Sequence, residues 1–265
     1  MTTCGLQPVS VMQDLSLPLE TWLRQIVGEA DMPARRVGLS RFSLTGYVAT
    51  AKAAKAQDAE SMLEQDFLTL LEYDRNVDRY LAQPFTIRWS DSGRRRRYTP
   101  DVIVKHSFAA HQSDPHLRTT LYEVKPLEVL KRDWHELRPK FRAAIGWARE
   151  HGCRFHIMTE REIRTPYLRN VKFLSGYMTK DLREETHSLA VARQTVIKSS
   201  LLQLGTTTPK ALLEAITADP MMQAELLPWV WNLVNCQRIG VDLTLPLTMQ
   251  SPIWPIVYVG GVRQA

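Results

Sequence analysis

The chain has 265 residues, 44% of them hydrophobic and 23% charged, with a formal net charge of +6 and a sequence pI near 9.3. That length suits one good core with room for a second domain, and the basic balance favours an acidic partner, most often nucleic acid, over a chain that is merely basic and soluble. Three scattered cysteines (Cys4, Cys153, Cys236) fit neither a disulfide framework nor zinc spacing, and there is neither a signal-peptide pattern nor an apolar run of about 20 residues, so a cytoplasmic protein off the membrane is expected.

Residues 1–57 read as a poorly defined N-terminal arm, with a short amphipathic helix at 19–27. Its loop at 33–55 carries Lys52 and Lys55 among other basic residues, as a solvated surface or as a phosphate-tracking arm. Leu63, Phe67, Leu70 and Leu71 recur at helical spacing and predict a helix over 61–73. Residues 77–81 and 85–89 read as an extended connection and a strand, followed by a turn at 90–93. A strand over 97–105 is expected to pair back as a hairpin, a polar loop fills 106–119, and residues 121–125 form a strand ended by Pro126. A helix over 127–150, interrupted or kinked at Pro139, is stopped by His151-Gly152, and a last strand spans 154–158. This order predicts an α/β unit with a mixed sheet over residues 58–178.

Residues 179–265 predict a mainly helical second domain. A long helix over 182–204 is followed by a break, then by Thr208 as N-cap ahead of Pro209. Helices at 212–216 and 222–236 and a short hairpin complete a winged-helix-like order. The last helix lacks lysine and arginine, so a protein partner suits this domain better than DNA.

The chemistry concentrates between Tyr98 and Lys125. Asp101 follows Pro100 at the mouth of an apolar strand. Glu123 and Lys125, two apart on the next one, point to the same face. Two carboxylates and an ammonium meeting on a sheet face suit a metal-dependent phosphodiesterase, the pattern of PD-(D/E)xK nucleases. Oxygen donors from Asp101, Glu123 and Glu64, with the Val124 carbonyl, favour Mg²⁺ or Mn²⁺, while Lys125 orients or deprotonates a water. The alternatives are an edge-strand aspartate in a turn and a solvated Glu-Lys pair. Glu64 also completes a capping box with Ser61, and Glu60 is its rival one turn earlier. Arg94, Arg95, Arg96 and Arg97, at the hairpin turn, are candidate DNA-backbone contacts. His106, His111 and His116 lack usual ligand spacing.

From about Gly46 to Tyr177 the chain resembles the TnsA family, the endonuclease subunits of heteromeric transposases. The resemblance rests on Glu60-Ser61-Met62-Leu63-Glu64, Val77, Gln83-Pro84, Arg97-Tyr98-Thr99-Pro100-Asp101 and Tyr122-Glu123-Val124-Lys125, then on Thr159-Glu160 and Ile163-Arg164. It implies a restriction-endonuclease-like α/β core followed by a winged-helix-like C-terminal domain. Glu64, Asp101 and Lys125 would be catalytic, with Glu123 a metal ligand. It further implies cutting of the 5′, non-transferred strands at transposon ends, beside a DDE-type transposase, and contact with a AAA+ ATPase regulator through the C-terminal domain. A stand-alone restriction or repair nuclease and a catalytically silent DNA-binding scaffold are the alternatives.

Overall fold

The computed structural model describes residues 18–27, 61–91, 93–177, 187–259 and 262–264. Lys52, Lys55 and Glu60 lie outside them. The chain divides into two compact units, Met1–Ile163 and Arg164–Ala265. That division falls earlier than the 178/179 boundary read from composition, because the helix 166–175 packs with the second unit.

In the first unit the helices are α1 (Leu19–Val27), α2 (Met62–Tyr73), α3 (Phe108–Ser113), α4 (Leu127–Glu150) and α5 (Glu160–Ile163). The strands are β1 (Val77–Ala82), β2 (Ile87–Asp91), β3 (Arg94–Tyr98), β4 (Val102–His106), β5 (Thr120–Val124) and β6 (Arg154–Met158). The sheet order is β1-β4-β5-β6. The β1–β4 and β4–β5 pairs are antiparallel and β5–β6 is parallel, so the sheet is mixed as expected. The parallel pair needs a long crossover, and α4 supplies it.

Strand alternation sorts the two faces. Ile103 and Leu121 face a core shared with Phe85, Ile87, Tyr98, Ala144 and Ala148. Tyr122 points the other way and meets Phe67 of α2, ring centroids 5.0 Å apart. Leu19, Trp22 and Leu23 of α1 are buried in the first of these cores. The described part of the N-terminal segment is therefore a piece of the first unit's core, not an arm.

Two local readings are corrected. Arg94 to Arg97 do not sit in a turn. They form an exposed strand whose partners are Asp91, Ser90, Trp89 and Arg88 in turn. The hairpin β2–β3 is a separate two-stranded sheet, broken from β4 at Thr99-Pro100-Asp101. The supposed polar loop contains α3, capped by the Ser107 hydroxyl on the Ala110 N–H.

The second unit holds α6 (Pro166–Ser175), α7 (His187–Leu204), α8 (Pro209–Ile216), α9 (Pro220–Asn235), and the antiparallel pairs β7 (Ile239–Val241) with β8 (Ile253–Pro255) and β9 (Val257–Val259) with β10 (Val262–Gln264). Thr208 caps α8 by accepting the Ala211 N–H at 3.1 Å, as the sequence predicts. Leu226, Trp229, Trp231 and Leu233 of α9 are buried. Asn170 of α6 donates to the Leu243 and Leu245 carbonyls and accepts from the Leu247 N–H, which ties the extended segment after β7 to α6. Among the described residues no helix is long and apolar enough to cross a membrane.

Candidate active site

Asp101 stands one residue before β4, yet its backbone continues the ladder. Its N–H donates to the Tyr122 carbonyl at 3.1 Å, and its own carbonyl accepts from Gln83 at 2.7 Å. Gln83 adopts a left-handed φ of 47°, uncommon for a residue with a side chain, so this brace carries some local strain. With its backbone held from both sides, Asp101 turns Oδ2 to the Val124 N–H, 2.7 Å away at the end of β5.

That bond brings the two sequence motifs together. Val102 pairs with Tyr122 across the sheet, which places Asp101 beside Glu123. Glu123 is 1% exposed. Its Oε2 accepts from the Tyr98 hydroxyl at 2.6 Å, and its Oε1 from Lys140 Nζ at 2.9 Å. Lys125 Nζ lies 3.6 Å from the same Oε1. Lys125 itself just outlasts the strand, its N–H donating to the Met158 carbonyl of β6.

Electrostatics follow from burial. The Asp101 carboxyl is pushed up to about 7, chiefly because it is buried and next because the Glu123 charge repels its ionisation. The Val124 N–H and Lys125 oppose that rise, and Glu64 adds to it. The Tyr98 hydroxyl is pushed far above its ordinary range by burial and then by Glu123, so it stays a donor.

Glu64 serves the cap. Its N–H donates to the Ser61 hydroxyl oxygen at 3.2 Å, and that hydroxyl donates to Glu64 Oε1 at 3.1 Å. Its charge is also close enough to act on Asp101, so both readings of this residue survive. They separate in Glu64→Gln. An amide still accepts the Ser61 hydrogen bond, so the melting temperature should stay near that of the parent chain, whereas losing a cap outright costs about 0.5–2 kcal/mol. If the charge matters, cutting should fall steeply in the same variant. Full activity in a DNA-cleavage assay would leave Glu64 as a cap alone.

The partners of three positions escape sequence reasoning. Tyr98 shows there only as part of a motif, yet it is a direct partner of Glu123. Lys140 carries no local signal beyond being a lysine beside Phe141, a core residue of α4. Glu160 accepts the Leu127 N–H at 2.9 Å and so holds the start of α4, just after Lys125-Pro126, where the N-cap proline has no side chain to do it. The histidines do not form a centre. His106 is buried and, mainly for that reason, held below its ordinary pKa, with His111 6.4 Å away in ring-to-ring distance. Among the described residues no group of three or more His, Cys, Asp or Glu is gathered to hold a metal.

Beside Tyr98 a cavity of about 340 Å³ opens, lined by Thr86, Arg88, Arg97, Tyr98 and Thr99. Tyr98 thus connects an arginine-bearing hollow to the carboxylates.

A mixed sheet that brings an aspartate, a glutamate and a lysine to one end fits a nuclease fold. Residues 74–160 match the model of the TnsA-like endonuclease N-terminal domain, and residues 162–243 that of the TnsA endonuclease C-terminal domain. The two matches meet close to the division between the compact units. Together they span well over half of the chain, which belongs to the TnsA-like endonucleases, the nuclease subunits of transposases. No curated protein matches it significantly.

Proposed function

We propose that the chain hydrolyses phosphodiester bonds in duplex DNA at the 5′, non-transferred strands of transposon ends, in a divalent-metal-dependent reaction. The observation that carries this reading is the meeting of Asp101, Glu123 and Lys125 at the junction of β4 and β5. The donor set fits Mg²⁺ or Mn²⁺. Two buried carboxylates side by side repel each other, and a divalent cation relieves that repulsion. Asp101 Oδ1 and Glu123 would hold it with the Val124 carbonyl, and Glu64, which is not gathered with them but sits in the Ser61 cap, would have to turn in to join. Such an ion would supply positive charge to a bound phosphate and acidity to a water.

The chain's own residues do the rest. The Val124 N–H keeps Asp101 aimed, and Tyr98 keeps Glu123 aimed. Lys125, with a side chain 28% exposed, reaches the solvent side and orients the attacking water. The β2–β3 hairpin contributes Arg88 and Arg97, paired across the strands and lining the cavity beside Tyr98, to grip the DNA backbone. Replacing both by alanine should weaken DNA binding about equally on all sequences. The salt slope should drop by roughly 2, about 0.9 for each phosphate no longer neutralised. Binding titrations at several salt concentrations read both effects, and an unchanged slope would remove the hairpin from the DNA interface.

We read the second unit's run of three helices α7–α9 followed by antiparallel pairs as winged-helix-like, and we assign it the contact with the ATPase regulator. Because α9 spends Trp229 and Trp231 on its own core, the contact falls to exposed apolar residues such as Leu189, Val191 and Leu202 of α7 and Met221 of α9. The deciding experiment for the activity is cleavage of a transposon-end duplex in Mg²⁺, with and without a DDE-type transposase partner, with the cut 5′ ends mapped. Cutting of naked DNA by the chain alone would favour a stand-alone nuclease, and no cutting under either condition would favour a scaffold.

A further inference from the structure

Glu123 carries two ammonium groups on one oxygen. Lys140 Nζ is 2.9 Å from Oε1 and Lys125 Nζ 3.6 Å from the same atom. A single carboxylate is neutralised by one of them, so the two lysines are not equivalent. Lys140 is the one the surroundings hold. It is within hydrogen-bond reach, and its ammonium lies 5.0 Å from the centre of the Tyr98 ring and 5.1 Å from that of Phe141, both attractive placements. Phe141, its neighbour in α4, is buried against Trp134 and Phe155, which anchors the helix at this point. Lys125, by contrast, is beyond hydrogen-bond distance of Glu123 and follows the last residue of β5.

We propose that Lys140 is a positioning residue: as the standing counter-ion of Glu123 it fixes that carboxylate together with Tyr98, and so leaves the Lys125 ammonium for the water or the scissile phosphate. This inference rests on the nuclease reading above. Without Lys140, Lys125 is the cation nearest to the Glu123 oxygen among the described residues. It closes on that oxygen and is withdrawn from the reaction, although nothing that touches DNA has been removed. The rival role for Lys140 is a direct phosphate contact, and the two roles differ in what they change.

The test uses the full chain with a DDE-type transposase partner, Mg²⁺ and a transposon-end duplex. Lys140→Met is expected to lower kcat about a hundredfold. KM, metal-free affinity for a short duplex and its salt dependence should stay at parent values. Because Lys140 acts through Lys125, the double variant Lys125→Met/Lys140→Met should cut no more than about threefold slower than Lys125→Met alone. Lys140→Arg keeps a cation between the two rings and should cut within about tenfold of the parent. Should Lys140→Met fail to fold by thermal melting, Lys140→Gln takes its place in the cycle, since its amide still donates to the Glu123 oxygen. Losses that multiply in the double variant would overturn the proposal, and so would weaker metal-free DNA binding with a shallower salt slope. If Lys125→Met cuts like the parent chain, the nuclease assignment of the site falls and this inference with it. If Lys125→Met is dead and Lys140→Met is unimpaired, only this inference falls.

Discussion

Asp101→Asn is expected to abolish cutting and, at pH 8, to make the chain harder to unfold. The two effects share one cause. Burial and the Glu123 charge raise the folded-state pKa of this carboxyl to about 7, against an ordinary value of 3.8. Between about pH 4 and pH 7 the folded chain therefore binds more protons at this site than the unfolded chain does. Its stability contribution is full below that window and is lost as pH rises through the folded pKa. A shift of this size corresponds to about 4 kcal/mol, an upper bound because the site is open on the Lys125 side. Asparagine carries no charge but still accepts the Val124 N–H. Urea unfolding of Asp101→Asn should accordingly show a flatter pH profile and a gain of about 2–4 kcal/mol at pH 8. Cleavage should fall about a thousandfold or more, since an oxygen donor's charge is gone from the reacting centre proposed above. Parallel stability profiles of the two chains from pH 5 to 8 would show that the charge at Asp101 does not burden the fold.

Glu123→Ala should act in the opposite direction on stability. The substitution leaves the Tyr98 hydroxyl without its acceptor and two ammonium groups without their shared anion. Removing one member of a buried ion pair costs about 3–5 kcal/mol. Here the lysine side chains are 24% and 28% exposed and can turn partly to water, which places the loss near about 3 kcal/mol. Glu123→Gln keeps an acceptor for Tyr98 and should lose much less. Denaturant midpoints of the two variants at pH 8 give the comparison. Equal midpoints would mean that the network around Glu123 is not what holds this end of the sheet.

The parts of this structure legible in the sequence are those whose cause is local. Strand β6 and the long helix α4 follow from apolar spacing and a glycine stop, and the α8 cap follows from Thr208 ahead of Pro209. The common face of Glu123 and Lys125 is legible because the period of two along a strand and the break at Pro126 set it locally, while Asp101 joins them only through the pairing of β4 with β5. What escapes is long-range. Tyr98 and Glu123 are 25 positions apart, and Lys140 lies 17 beyond Glu123. Their contact exists only once α4 has crossed over the sheet and the hairpin has closed on it, so no spacing rule encodes it. The four arginines mislead for another reason. Like charges in a row suggest a turn, but cross-strand pairing with β2 lets every one of them point to solvent while the backbone stays in register.

The placement of α1 has a consequence for how the chain acquires its fold during synthesis. Leu19, Trp22 and Leu23 share a core with Leu121, Ala144, Ala148 and Cys153, so α1 has no complete binding surface until residues roughly a hundred positions and more further on have left the ribosome. Its apolar face must wait, and contacts of such sequence separation form slowly. Trp22, 6% exposed once folded, is thus an optical marker for the last stage of core closure. With the other tryptophans replaced, its fluorescence in a refolding experiment should change after the sheet has formed and not with it.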